Sequence, residues 1–161
     1  MDKKKTELQP LTLRQKLQGI QSSLKAPKGQ TNKFGGYKYR SCEDILTALK
    51  PLLNEWGCSL TITDNIVEVS GRIYVKAVAT LLDNDSDTGI PVAAFAREAE
   101  IKKGMDEAQI TGSASSYARK YALNGLFAID DSSLDPDAIN THGKSNKTTT
   151  TQRVSELNDI I

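Results

Sequence analysis

The sequence predicts an α+β fold in which helices flank a run of antiparallel strands. Two amphipathic helical patterns occupy the chain up to residue 57, and three stretches of alternating polar and apolar residues follow them. A last helical pattern ends near residue 129. The 161 residues suffice for one domain with a real core. We expect that domain to span residues 1–131, with a polar linker and short C-terminal segment over 132–161.

The two N-terminal helices each follow a hydroxyl residue that can cap a helix. Thr12 precedes LRQKLQGIQSSL, and Ser41 precedes CEDILTALKPLLNEW, where Asp44 completes an acidic capping box. Pro51 should kink or break the second helix, and Gly57 should end it. The apolar stripes are Leu13, Leu17, Ile20 and Leu24 in the first helix and Ile45, Leu49, Leu52, Leu53 and Trp56 in the second.

Three or four antiparallel strands are predicted between the second helix and the last. The segment SLTITD alternates, and RIYVKAVATLL (72–82) alternates with many β-branched residues. The third segment, IPVAAFAREAEI (90–101), is weaker because alanine is a poor strand former. Turns are indicated at Asp64–Asn65, at Ser70–Gly71 and in the acidic segment DNDSDTG (83–89).

The last helix, TGSASSYARKYALNGLFAI over residues 111–129, is thin on one side. Small residues on one stripe allow close approach to a sheet or to another subunit. Backbone N–H groups near Thr111–Gly112, at the expected start of the helix, could attract phosphate. Arg119 projects away from both stripes. The small stripe contains Ala114, Ala118, Ala122 and Gly125, and a polar stripe contains Ser113, Ser116, Tyr117, Lys120 and Asn124.

Charge is distributed unevenly along a chain whose formal net charge is only +1. Residues 1–50 carry eleven Lys/Arg against four acidic residues, whereas residues 51–100 carry three against eight. Such asymmetry indicates a surface that faces a polyanion. The alternative is that the charges average out in three dimensions.

The segment KAPKGQTNKFGGYKYR, residues 25–40, combines basic and aromatic residues without any acid. Basic side chains neutralise phosphates, and aromatic rings offer each base a face to stack on. The segment is therefore a candidate DNA-binding loop, the alternative being a solvated loop whose rings fold back onto the core. Its candidate contacts are Lys25, Lys28, Lys33, Phe34, Tyr37, Lys38, Tyr39 and Arg40.

The strand RIYVKAVAT has a second candidate surface, since its side chains sort by period two. Arg72, Tyr74 and Lys76 share one face, which could line a polyanion groove or simply face solvent. The other face, Ile73, Val75, Ala77, Ala79 and Leu81, is the predicted core.

Several site classes lack support in the sequence. Cys42 and Cys58 form no zinc pattern with the single His142, so we expect reduced thiols, no metal and no cofactor. With no signal peptide and no apolar span, we expect a cytoplasmic protein. GKS at 143–145 lacks the first glycine of a nucleotide-binding loop. A nuclease site would need the aspartates Asp130, Asp131, Asp135 and Asp137, which are better explained as a solvated acidic segment.

Two motifs together resemble the Erf family of bacteriophage single-strand annealing proteins. The family has a Y-x-Y element before a helix ending P-x-L-x-x-x-G, and a later helix G-S-A-x-x-Y-A-R-[RK]-Y-A-L that ends in acids. The second motif is the specific one, and the resemblance covers about residues 12–131. The matching residues here are Tyr37, Tyr39, Pro51, Leu53 and Gly57, then Gly112 to Leu123 with Asp130 and Asp131.

The resemblance implies a place in the Rad-fifty-two superfamily. Such proteins have a β-β-β-α core, form rings or helical arcs, and hold single-stranded DNA in a basic groove on the outer rim. The expected function is ATP-independent annealing of a single strand to its complement, without chemical catalysis, by a homo-oligomer. The implied groove residues are Ser113, Ser116, Arg119 and Lys120.

Some alternatives stay open at this point. The helical wheel favours Lys120 as the DNA contact, whereas the family pattern favours Arg119 at least equally. The final segment RVSELNDII could dock on a neighbouring subunit or on a host single-strand-binding protein. Rival functions are a non-annealing single-strand-binding protein, a metal-dependent nuclease and a protein-interaction module.

Overall fold

The described part of the chain folds as three helices packed with a three-stranded antiparallel sheet, next to a separate two-stranded hairpin. The computed structural model describes residues 9–33 and 35–130. The α+β class and the antiparallel sheet are confirmed. In chain order the elements are α1 (Leu13–Ser23), β1 (Gln30–Asn32), β2 (Tyr37–Tyr39), α2 (Cys42–Glu55), β3 (Cys58–Val69), β4 (Arg72–Asp83), β5 (Gly89–Arg97) and α3 (Glu107–Leu126).

The first two helices begin at the predicted capping residues. The Thr12 side chain accepts from the N–H of Gln15, whose own side chain returns to the Thr12 backbone. Ser41 and Asp44 make the same reciprocal pair, and the hydrogen bond from the Ser41 N–H holds the pKa of the Asp44 carboxyl below its usual value. The predicted starts of both helices are confirmed.

Of the two effects predicted for Pro51, a kink or a break, the break is wrong, because α2 continues through this residue to Glu55. Pro51 lies on the exposed side of the helix, where a carbonyl that lacks its N–H partner can turn to water. The helix ends at Glu55 with Trp56 as its C-cap, and Gly57 follows with a φ of +60°, which favours glycine.

The large sheet has the order β3-β4-β5, with β4 in the centre. Ser70 and Gly71 have φ values of 52° and 74°, as a two-residue type I′ hairpin requires, and they join β3 directly to β4. The turn expected at Asp64–Asn65 is absent, since β3 continues to Val69. Asp64 pairs with Ala77 in the ladder, and partners on α3 hold its carboxylate, so a polar residue is tolerated inside the strand.

The core lies between one face of this sheet and the helices. Val75, Ala77, Ala79 and Leu81 of β4 are at most 1% exposed, which confirms most of the predicted core face of that strand. The prediction is wrong for Ile73, which is 37% exposed because it lies beside the β3–β4 turn at the end of the strand. The helix α3 packs across β4 and β5. Its Ala114, Ala118 and Ala122 are buried at 6%, 0% and 0% exposure, as the small stripe predicts. Alanines on both sides bring the helix close to the sheet.

The helix α3 begins four residues before its predicted start. Asp106 caps it through a reciprocal pair with Gln109. Thr111 and Gly112 therefore lie inside the helix, where backbone N–H groups donate to carbonyls four residues earlier. The predicted phosphate-attracting helix start at Thr111–Gly112 is wrong for that reason.

Contacts between residues far apart in sequence join α1 to the end of β4 and to the end of α3. The Lys16 ammonium lies 2.8 Å from carboxylate oxygens of both Asp83 and Asp85, which raise the pKa of that amine. The Gln21 amide donates to the Leu126 carbonyl at 3.0 Å. After α3, the Phe127 side chain is buried at 1% exposure in the common core.

Candidate nucleic-acid interface

The basic segment folds into a hairpin, which we call the basic hairpin (residues 30–39). Its two short strands pair antiparallel, and Asn32 organises the turn by accepting from the Gly35 N–H at 3.0 Å and donating to the Tyr37 hydroxyl at 3.0 Å. The sequence predicts an irregular loop here, because its prolines and glycines obscure strands of only three residues each. Phe34 lies outside the described residues.

In the basic hairpin, the two tyrosine rings lie on one face and Lys38 lies on the other. Strand periodicity places Tyr37 and Tyr39 on one face, with ring centroids 6.4 Å apart in a T-shaped arrangement. Lys38 lies on the opposite face, and Lys33 lies at the turn, both exposed. Tyr37 is 46% exposed, whereas Tyr39 is partly buried.

The remaining predicted contacts of this segment differ in exposure. Lys25 is exposed and Lys28 is partly buried in the segment that leads into the hairpin. Arg40 is buried at 8% exposure, and its Nη2 donates to the Asp130 carbonyl at 2.9 Å. The Arg40 side chain therefore connects the segment after α3 to the start of α2, and little of its surface is accessible to a ligand.

The outer face of α3 carries an aromatic platform made of Tyr117, Lys120 and Tyr121. The two rings lie with centroids 6.2 Å apart, and the Lys120 Nζ lies 4.8 Å and 5.1 Å from them. The rings are 48% and 39% exposed. Ser113 is partly buried and Ser116 exposed on the same side of the helix, so the predicted polar stripe is brought together.

Arg119 lies on the flank of α3 that faces β3. Its guanidinium contacts Asp64 through Nε, at 3.0 and 3.1 Å, and through Nη2 at 2.9 Å. The Ser115 hydroxyl donates to the same carboxylate. Burial alone would raise the pKa of Asp64, but the hydrogen bonds from Arg119 and Ser115 outweigh it and lower that pKa. Arg119 is thus engaged by a carboxylate, whereas Lys120 lies against aromatic rings.

The predicted surface on β4 lies on the opposite side of the sheet from α3. Arg72, Tyr74 and Lys76 share this open face, as period two predicts. The Lys76 Nζ lies 5.8 Å from the ring of Phe95, its cross-strand partner on β5. Arg72 forms an ion pair with Glu100. The structure therefore does not bring these residues together with the polar stripe of α3.

A cleft of about 180 Å³ opens between the end of β5 and the first half of α3. Of its polar residues, only Ser113 is a predicted DNA contact. Arg97 pairs with Tyr74 across the strands, so its side chain starts on the open face of the sheet. The residues that line the cleft are Ala96, Arg97, Ala99, Lys102, Ile110, Ser113, Ala114 and Tyr117.

The cysteines and the acidic residues do not point to a further site. Both cysteines, Cys42 and Cys58, are free and buried, and burial raises the pKa of each thiol. Within residues 9–33 and 35–130, no group of three His, Cys, Asp or Glu side chains could hold a metal ion. None of the helices in that part of the chain has both the length and the apolarity that a bilayer span needs. His142, the aspartates after Asp130 and the GKS tripeptide lie outside the described residues.

Comparison with known proteins identifies the family. The sequence model of the ERF superfamily matches residues 13–160. The chain is 59% identical over 116 residues to the essential recombination function protein of Salmonella phage P22, an alignment that covers 72% of this chain. It covers 55% of that protein, so the chain spans about half the length of this curated relative. No solved structure matches the chain. Because the family match extends over most of the sequence and agrees with the two motifs, the chain belongs to the ERF superfamily.

Proposed function

We propose that the protein binds single-stranded DNA and anneals it to a complementary strand during homologous recombination, without ATP. Membership of the ERF superfamily and the name of the phage P22 relative support a recombination role. The observation that carries the proposal is the basic hairpin, which presents exposed lysines and an exposed tyrosine ring in a segment without acids. Phosphate neutralisation combined with ring stacking is how sequence-independent single-strand binders work.

In this proposal the protein performs no chemistry on DNA. Lys33 and Lys38 take phosphates, and the Tyr37 ring stacks on a base. Lys120, with its two tyrosines on α3, provides a second contact area. Cations that neutralise one backbone lower the repulsion of an approaching complementary backbone, which is the physical basis of annealing.

We further propose that the protein works as a homo-oligomer, which would extend the binding surface over many nucleotides and raise its avidity. Among the described residues, β3 and β5 are the outer strands of the large sheet, and their outer edges have no strand partner. Open edges of this kind are commonly protected by a neighbour. Ile66 and Val69 of β3 are 57% and 56% exposed, so apolar surface accompanies the open edge. Sedimentation as a monomer at micromolar concentration, with and without DNA, would contradict this part.

The DNA-binding part is tested by the double substitution Lys33→Ala/Lys38→Ala. We expect the dependence of log K on log salt concentration to become shallower by about 1–2, at ~0.7 for each phosphate that is no longer neutralised. The matched control is Arg14→Ala/Lys50→Ala, which removes the same charge from exposed positions on α1 and α2. Equal slopes in the two double variants would mean that the hairpin lysines face bulk solvent.

Annealing requires its own assay, because a non-annealing single-strand-binding protein would pass the binding test. Two complementary labelled strands should anneal faster with the protein than without it, in the absence of any nucleotide. Binding without acceleration would favour the non-annealing alternative. Degradation of labelled DNA in Mg²⁺ or Mn²⁺ would favour the nuclease alternative.

A further inference from the structure

We propose that Arg40 is a positioning residue rather than a DNA contact. Together with Gln30, it anchors the base of the basic hairpin and holds the exposed lysines and tyrosine of that hairpin in the orientation in which they meet a strand. The inference rests on the proposed single-strand binding. It gives a separate role to a residue that the sequence alone groups with the DNA contacts.

The basic hairpin is too small to keep its own shape. Its strands β1 and β2 contain three residues each, and they form a sheet separate from the large one. An isolated two-stranded hairpin is at best marginally stable in water. A Cβ added at Gly36, in the turn, would meet no atom of the described residues within 4 Å, so the domain does not support the turn at this point. Lys33, Tyr37 and Lys38 therefore depend on the base of the hairpin for a fixed orientation.

The base of the hairpin is tied to the domain through both of its strands. Directly after β2, the Arg40 side chain is buried, and its Nη2 donates to the Asp130 carbonyl at 2.9 Å. In β1, the Gln30 amide donates to Asp44 Oδ1 at 3.4 Å, while Oδ2 of the same carboxylate accepts from the Ser41 N–H at the start of α2. These two contacts join the hairpin to the segment after α3 and to the N-terminus of α2.

The end of α3 is shaped so that it presents the Asp130 carbonyl. Ala128 has a φ of 52°, a left-handed conformation that favours glycine, and the Ile129 N–H donates to the Asn124 carbonyl at 3.0 Å. Together these features form a Schellman-type turn, which redirects the chain after the helix. The Phe127 side chain, buried in the core, fixes the start of this turn. The acceptor of the anchoring bond therefore lies on a fixed part of the domain.

The position of the Arg40 charge agrees with an anchoring role. Arg40 precedes the N-cap of α2, where a cation interacts unfavourably with the helix dipole. Near the C-terminus of α3 a cation is favourable, and residues 123–126 in the last turn of that helix contain no Lys or Arg. The Arg40 side chain reaches that end of α3, and its burial leaves little of the guanidinium for a phosphate.

Salt dependence separates a positioning residue from a phosphate contact. A lost phosphate contact makes the dependence of log K on log salt concentration shallower by about 0.7, whereas a loosened hairpin weakens binding at every salt concentration. We expect Arg40→Met to weaken binding of an oligothymidylate by at least about fivefold, the cost of ordering one or two side chains, with an unchanged slope. The matched control is Arg14→Met, at an exposed position on α1, which should change neither quantity.

A double-mutant cycle tests whether Arg40 acts through the hairpin lysines. In the Lys33→Ala/Lys38→Ala background, Arg40→Met should lose most of its effect on affinity, because the hairpin has fewer contacts left to position. An independent DNA contact would weaken binding by the same factor in both backgrounds.

Amide hydrogen exchange provides a readout without DNA. In Arg40→Met, the amides of residues 30–32 and 37–39 should exchange faster than in wild type, while those of β4 keep their protection. Gln30→Ala is the second variant, because Gln30 is exposed and its replacement leaves the core intact. It should also accelerate exchange in the hairpin and weaken binding by about twofold, the lower range for one hydrogen bond. If Arg40→Met does not fold, Gln30→Ala decides, and unchanged affinity with unchanged exchange overturns the anchor.

The outcomes separate the positioning role from the function on which it rests. If wild type binds no single-stranded DNA, both are overturned. If wild type binds DNA and Arg40→Met binds equally well, or shows a reduced slope, or has the same effect in the lysine background, the positioning role is overturned and the function stands. Weaker binding at an unchanged slope, loss of that effect in the lysine background and faster exchange in the hairpin establish the role.

Discussion

Arg119 and Lys120 are neighbours in sequence with different partners in the structure. The Arg119 guanidinium contacts both carboxylate oxygens of Asp64 through Nε and one of them through Nη2, and this ion pair joins α3 to β3. The Lys120 ammonium lies over two exposed rings on the outer face of α3. The sequence could not separate their roles, because the partner of Arg119 lies 55 positions earlier in the chain.

We expect Arg119→Ala to lower the stability of the protein, because it leaves the partly buried Asp64 carboxylate without its cation. Lys120→Ala should leave the melting temperature nearly unchanged and weaken single-strand binding. Thermal unfolding and DNA titration of the two single variants measure both effects. The reverse pattern, with Arg119→Ala stable but defective in binding, would assign the DNA contact to Arg119.

The pH dependence of stability should report on Asp64. Its pKa is lowered in the folded protein, so its contribution is present above the unfolded value of about 3.9 and is lost as pH falls through the folded value. Asp64→Asn should therefore cost about 1 kcal/mol at pH 7, a modest figure because solvent screens the Arg119 side chain, which is 44% exposed. The difference between variant and wild type should shrink near pH 3. An equal difference at both pH values would mean that the carboxylate charge is irrelevant.

Secondary-structure elements approach each other closely at two places in this fold. The alanine stripe of α3 meets the alanines of β4 and β5, and α1 approaches α2 where Gly19 faces Trp56. A Cβ added to Gly19 would overlap the Trp56 ring. Small residues at these positions set how near the elements lie.

Two glycine substitutions should therefore change the free energy of unfolding in opposite directions. Gly19→Ala should destabilise the protein by about 1–3 kcal/mol, because the indole or the helix must move. Gly112→Ala should stabilise it by up to about 1 kcal/mol, since that helical position has no neighbour within 4 Å and alanine is the better helix former. Chemical denaturation of both variants measures the two shifts, and a stabilising Gly19→Ala would show that α1 does not pack as described.

Sequence patterns predict an element well where interactions between residues close in sequence determine it. The capping boxes at Thr12 and Ser41, the I′ turn at Ser70–Gly71 and the alternation of β4 were all readable. The observed start of α3 could also be predicted from the sequence, because Asp106 and Gln109 form a capping box. Asp64 was mistaken for a turn residue because its partners come from α3, and no local pattern shows such a contact.

For the whole molecule, the decisive contacts join residues far apart in sequence. Gln21 and Arg40 reach the carbonyls of Leu126 and Asp130, and Phe127 fills the core between them. Which cations are engaged by carboxylates depends on such contacts. For that reason a count of Lys and Arg predicts a basic segment over residues 25–40 but not that Arg40 within it is buried.

Truncation tests where the fold ends. A chain that stops at residue 131 keeps Phe127 and the Arg40–Asp130 bond, so it should fold and bind DNA like the full chain. A chain that stops at Leu126 loses the largest fully buried side chain, which typically costs 3–5 kcal/mol. Thermal unfolding and DNA titration compare the two truncations with the full chain. A drop of several degrees on removing only residues 132–161 would show that this segment stabilises the domain.

The Lys16 ion pairs have a consequence for synthesis on the ribosome. The hydrogen-bond partners of Lys16 and Gln21 on α1 lie 67 to 105 positions later, whereas the contact of Gly19 with Trp56 is nearer in sequence. The strands β3 and β4, in contrast, are joined by a two-residue turn. Nearby pairings form fast and distant ones wait for loop closure, so the β3–β4 hairpin should fold early and α1 should complete its contacts last. The nascent chain then leaves α1 incompletely covered until residue 127 has emerged. In the finished protein, amide hydrogen exchange should accordingly find weaker protection in α1 than in β4, and equal protection would contradict this order.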